Sequence, residues 1–146
     1  LDVNKLLTPA MVRLLNDATL KTLLGASTIP AVKGARRPKT MMATKCFTVH
    51  VLSNPRDEDS KVHNGTMLIN FYCPNYSEGN AAIETMGPVA SRLVELFDDK
   101  PLTMDGYSNF NLTVQEPLGP LFDPSFPDEH FMSVRIKFNL IKKGSV

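Results

Sequence analysis

Residues 132–140, MSVRIKFNL, place an apolar side chain at every second position. Met132, Val134, Ile136, Phe138 and Leu140 alternate with Ser133, Arg135, Lys137 and Asn139. Successive side chains of an extended chain point to opposite faces, so this segment is a strand with one dry and one polar face. The dry face needs a second layer to cover it. Residues 77–97 supply a candidate: Ile83, Met86, Ala90, Leu93 and Phe97 recur three or four positions apart, which is a seam along one side of a helix. Pro88 falls inside that pattern. Its missing N–H and its ring against the Glu84 carbonyl predict a kink or a split. Asp98 and Asp99 suit the negative end of a helix badly and mark the exit of the chain, whereas Lys100 suits it well.

The other segments follow the same two periods. Thr8-Pro9 reads as an N-cap followed by proline at the first helical position, with Met11, Leu14, Leu15 and Ala18 on one face. Asn16-Asp17 recaps a second short helix, 18–24, which Gly25 ends. In the strand 45–52, Phe47, Val49 and Val51 alternate with Cys46, Thr48, His50 and Leu52. A turn-rich, charged break, SNPRDEDSKVHNG (53–65), leads to TMLINFYC (66–73), whose two apolar faces suit a central strand. A further strand covers 109–116, with Phe110, Leu112 and Val114 on one side. The order is helix, long loop, strand, strand, helix, strand, strand. It predicts one α+β domain over residues 1–146, with a mixed, mainly antiparallel sheet of about four strands and helices packed on one face. The polar side of the last strand is expected to meet solvent or another subunit.

Two connections are unusual. Residues 25–44 are long for a structureless loop in a compact domain, and such loops are generally functional or disordered. Within VKGARRPKTMMATK (32–45) lie five basic residues of the chain's 16 and no acid. Lys33, Arg36, Arg37, Lys39, Met41 and Met42 are expected to form an extended arm ordered by a neighbouring subunit, the methionines supplying adaptable apolar contact. A solvated loop and a direct DNA contact are the other readings of the same residues. The second connection, EPLGPLFDPSFPDEH (116–130), holds four prolines and no regular period. Its Leu118, Leu121, Phe122 and Phe126 are expected to touch another protein, or else to fold back over the sheet edge.

Most other function classes lack their signatures. Sixteen basic against 15 acidic residues leave a formal charge of +1, whereas a chain that coats nucleic acid carries a clear positive excess. The basic stretch also lacks the interleaved aromatic residues that stack single-stranded bases. His50, His63 and His130 stand far apart without companions at metal-ligand spacing. Asp57, Glu58 and Asp59 lack the spacing of a calcium loop. There is no phosphate loop, dinucleotide glycine pattern or nucleophile elbow. No cofactor, metal or catalytic residue is expected. No apolar run is long enough to span a membrane and no signal-peptide pattern opens the chain. Cys46 and Cys73 are therefore expected as buried free thiols in a protein that folds in a reducing cytoplasm.

Taken together, LLTPAMVRLLNDATLKTLLG, the pair CFTVHVLSNP and GTMLINFYCP, NAAIETMGPVASRLVELFDD and the closing EHFMSVRIKFNLIKK resemble the tail terminator and tail completion proteins of long-tailed bacteriophages. The resemblance covers residues 6–142. It implies a small α+β protein with a helix on a sheet, assembled as a homo-oligomeric ring, often a hexamer. Such a ring caps the tail tube, joins it to the head connector and lets genomic DNA pass through its lumen without sequence recognition. It implies a virion protein assembled in the cytoplasm of the bacterial host, and carries over no catalytic residue. The proline-rich segment 116–130 departs from the pattern. Phage neck adaptor proteins share the size and part of the architecture, and a small nucleic-acid-binding module is the remaining alternative.

Overall fold

The computed structural model describes residues 2–53, 62–108 and 111–143. Its centre is a pair of 13-residue strands, β3 (Val62–Pro74) and β6 (Glu129–Ile141), antiparallel from Val62 opposite Ile141 to Pro74 opposite Glu129. β2 (Cys46–Ser53) pairs antiparallel with the other side of β3, and β1 (Ala31–Lys33) lies parallel beside β2. β4 (Asn111–Val114) and β5 (Leu118–Leu121) share the far edge of β6. The sheet is mixed and mainly antiparallel, in the order β1-β2-β3-β6-β4 with β5 also on β6, and among the described residues it has six strands rather than about four. β1 and β5 are too short to show an alternation, and a proline precedes one and lies inside the other. Both pair because a longer neighbour offers them an open edge. Likewise β3 takes in His63, Asn64 and Gly65, which read as turn residues, because β6 supplies partners for each.

Side-chain alternation sorts β2 and β6 as expected, and β3, read as apolar on both faces, carries polar Asn64, Thr66 and Asn70 on its outer side. Phe47, Val49, Met67, Ile69, Phe71, Leu112, Val134, Ile136 and Leu140 are buried on one face. The helices α1 (Val3–Leu15), α2 (Ala18–Leu24) and α3 (Ile83–Phe97) cover it, and all join a single core. α3 contributes Met86, Val89, Ala90, Leu93 and Phe97. Ile83, expected in the seam, is 61 % exposed at the first helical position. The helix begins there rather than at Ser77, and it continues without a split through Pro88. Pro88 sits only in the second turn, on the exposed side, so the bond it cannot make to Glu84 lies toward water.

α1 also starts earlier than its Thr8-Pro9 signal. Asp2 is the N-cap, accepting from the amides of Asn4 and Lys5. Pro9 is inside the helix, and Lys5, whose carbonyl it cannot serve, is exposed. Asp17 and Gly25 (φ 63°) bound α2 as read from the sequence. Two devices close the molecule at the end of α3. Arg13 of α1 donates to the carbonyls of Lys100 (3.0 Å) and Pro101 (2.7 Å), placing a cation at the negative end of α3. Asp98 turns to β4 instead, where its carboxylate accepts from the Val114 amide at 2.9 Å, while the Asp99 amide donates to the Leu112 carbonyl. These bonds satisfy β4 along the edge that β6 leaves open, where an unpaired strand would invite foreign pairing.

Candidate interaction surface

Among the described residues, no helix lies on the outer face of the sheet. Its residues change character along the strands: β6 runs Phe131, Ser133, Arg135, Lys137, Asn139, and β3 runs Tyr72, Asn70, Leu68, Thr66, Asn64. At the polar end, Asn64, Thr66, Asn111, Thr113, Lys137 and Asn139 line a shallow groove. At the aromatic end, the Tyr72 and Phe131 rings stack with centroids 5.2 Å apart. Here both unusual connections return to the sheet.

Arg37 joins them. Its guanidinium donates to Glu129 through both terminal nitrogens, Nη1 to Oε2 at 2.8 Å and Nη2 to Oε1. It lies 3.7 Å over the Tyr72 ring and 5.7 Å from that of Phe126. Arg37 and Glu129 are 8 % and 5 % exposed, so this is a buried, bidentate pair with an aromatic floor. Beside it the Cys46 thiol contacts the Met41 carbonyl, and burial pushes that thiol up. Cys73, also a buried free thiol, is pushed up by burial too. In the next row, Thr48, Asn70 and Ser133 are buried cross-strand neighbours. Thr48 Oγ1 and Asn70 Oδ1 meet no hydrogen-bond partner among the described residues. Burial also pushes the nearby His50 imidazole down, toward its neutral form.

The expected extended arm is therefore corrected. Residues 32–45 carry part of β1, a 3-10 turn (Lys39–Met41) and the buried pair, all packed on their own chain. Lys33 is tied to α1, its Nζ donating to Asn4 Oδ1 and Thr8 Oγ1 at 2.7 Å each. Arg36 and Lys39 are exposed, and Met41 and Met42 are half-buried. The reason is simple: a cation looks solvent-facing in a sequence when its acid lies 92 positions away.

The proline-rich segment does present its apolar groups. Leu118, Leu121, Phe122 and Phe126 are 45, 36, 51 and 40 % exposed. A side chain at Gly119 would come within 2.9 Å of the Phe131 carbonyl, so the close crossing of β5 over β6 needs glycine there. The segment beyond β5, a tongue over residues 121–128, is moored where Asn75 donates to the carbonyls of Asp128 and Pro127 and its Oδ1 accepts from His130 Nδ1. An open cleft of about 460 Å³ separates Arg36, Arg37 and Met42 from Asp123, Ser125 and Phe126, with Tyr72 and Phe131 at its base. Arg36, Arg37, Met42 and Phe126 are thus brought together, whereas Lys33 is directed elsewhere. Glu129 and Tyr72 were missed as partners. A signal existed in the large aromatic residues at outward strand positions, which imply a cover.

Among the described residues, no group of three or more His, Cys, Asp or Glu could hold a metal ion, and no helix is long and apolar enough to cross a membrane.

These features define an open α+β sandwich of one helical layer and one mixed sheet, with an elaborated outer face. No family model and no curated protein matches the chain. Among solved structures it is similar to a chain of the virion of a native gene transfer agent particle, with TM-score 0.61 and 13 % identity over 94 % of this chain and 93 % of that one. It is also similar to a solved chain that carries no functional name, with TM-score 0.60 and 14 % identity over 97 % of both chains. At such identities the likeness is one of fold.

Proposed function

We propose that this chain is a structural virion protein that assembles into a ring, a hexamer, ends the tail tube, joins it to the head connector and leaves a channel for DNA. The observation that supports this most is the fold shared with a gene transfer agent virion chain over nearly the whole of both chains. A small motif recurring in unrelated proteins would not extend so far. The exposed Phe122 and Phe126, with Leu118 and Leu121, suit the same reading, since clustered apolar surface marks protein contact. Arg36, Lys39, Met41 and Met42 complete the proposed contact surface, and Arg37 holds it in shape from beneath.

The mass of the soluble particle, followed by negative-stain imaging, tests the proposal. A ring of six 16.2 kDa chains is expected, either alone or on addition of tail tube protein. Binding of the ring to tube protein identifies a terminator, and binding to the connector alone identifies a neck adaptor. A chain that remains monomeric with both partners present would exclude the ring.

A further inference from the structure

The two sides of the outer-face cleft differ in sign. Residues 26–45 contain no acid, and residues 116–128 contain Glu116, Asp123 and Asp128 but no base. Arg37 and Glu129 neutralise each other internally. What remains at the cleft is Arg36 on one side and Asp123 on the other; Lys39 and Lys45 are exposed in the first segment and Glu116 and Asp128 in the second, none of the six in an ion pair among the described residues. Among the described residues, the Asp123 carboxylate accepts a single hydrogen bond, from the amide of Ser125 at 2.9 Å. Phe122 and Phe126 lie on either side of Asp123 in the chain, about half exposed.

We propose that this surface binds a second copy of the chain: the acidic, aromatic tongue of one protomer seats on the acid-free segment of its neighbour, with Phe122 and Phe126 as anchors and Asp123 facing Arg36 and Lys39. The inference rests on the ring reading only in requiring self-association. A single chain already carries both complementary halves, which is what a contact between identical subunits needs. The buried Arg37–Glu129 pair holds the halves in fixed relation, so little ordering is left for association. A polyanion would meet Asp123 across the cleft from Arg36. An acidic partner of another kind would use the cations and leave the phenyl rings in water. Charges at such a contact select partner and register.

Two charge-reversed chains test this by sedimentation at low salt: Asp123→Lys, and Arg36→Glu with Lys39→Glu. Each alone should associate about tenfold or more weakly than the parent, because like charges then face each other. An equimolar mixture should regain parental association. Mixing leaves the like charges within each chain unchanged, so recovery reports contact between chains and not relief of an internal repulsion. Should a reversed chain fail to fold, Asp123→Asn with Arg36→Gln should instead flatten the salt dependence of assembly. Variants that assemble as the parent does, or a mixture no better than its components, would overturn the contact. If the parent still forms rings in that case, the ring reading stands without this contact. A parent that stays monomeric alone and with the tail tube and connector proteins present removes both.

Discussion

Arg37 and Glu129 show how much can hang on one buried pair. Both are almost wholly withdrawn from water, and the pair ties the first connection to the start of β6, over the Tyr72 ring and beside Cys46. Breaking such a pair on one side leaves an uncompensated charge, whereas apolar replacement of both sides is often tolerated. Glu129→Ala should therefore cost about 3–5 kcal/mol, and Arg37→Met with Glu129→Leu distinctly less. Urea unfolding measures both, and a single-variant cost near zero would mean that the pair does not hold the connections. Asp17 gives the pH-dependent case. Its carboxylate caps α2 through the Leu20 amide and accepts two bonds from Arg92 of α3, at 2.7 and 3.0 Å. The Arg92 bonds hold its carboxyl below the ordinary range, outweighing the upward push of burial. The folded state therefore binds this proton less readily than the unfolded state. The stabilisation is full above the ordinary carboxylate pKa of about 3.9 and is lost as pH falls through the lowered folded value. Asp17→Asn should cost about 1–3 kcal/mol at pH 7. The gap from the parent should narrow as acid unfolding is approached, and a gap independent of pH would contradict the linkage.

At the scale of the element, α3 carries the layer contact. Leu93 is fully buried against the sheet, whereas Ile83 stands 61 % exposed one turn before Pro88. Leu93→Ala should cost about 2–5 kcal/mol through lost transfer energy and the cavity left behind. Ile83→Ala should stay within about 0.5 kcal/mol, as surface substitutions do. Equal costs at the two positions would place the helix in a different rotation from the one seen here. The seam was legible in the sequence because a 3.6-residue period is a local property. Its first turn was not, since an apolar residue at the right spacing is buried only if the helix has already docked at that point.

For the whole molecule, the outer face divides stability from assembly. Phe122 contacts the His130 ring at 5.2 Å and Phe126 lies near Arg37, yet about half of each ring faces solvent. Replacing both with serine should lower the melting point of the protomer by a few degrees, as a loss of about 1 kcal/mol does in a domain of this size. The same change should abolish assembly as read by particle mass. Unchanged assembly with a clearly lower melting point would make the tongue a cover for its own sheet edge.

What the sequence by itself determined is what depends on near neighbours: the dry face of β2 and β6, the seam of α3, the caps of α2 and the two connections that fit no period. From these follow the α+β class and the single helical layer. The tertiary structure decided the rest. It raised the strands to six, because β1 and β5 take their order from the edges of β2 and β6 and not from their own residues. It drew Arg37 inward, because the acid that neutralises it comes from the start of β6. Periodicity is written in adjacent residues, but an edge to pair with or a counter-ion to meet exists only once distant parts of the chain have come together.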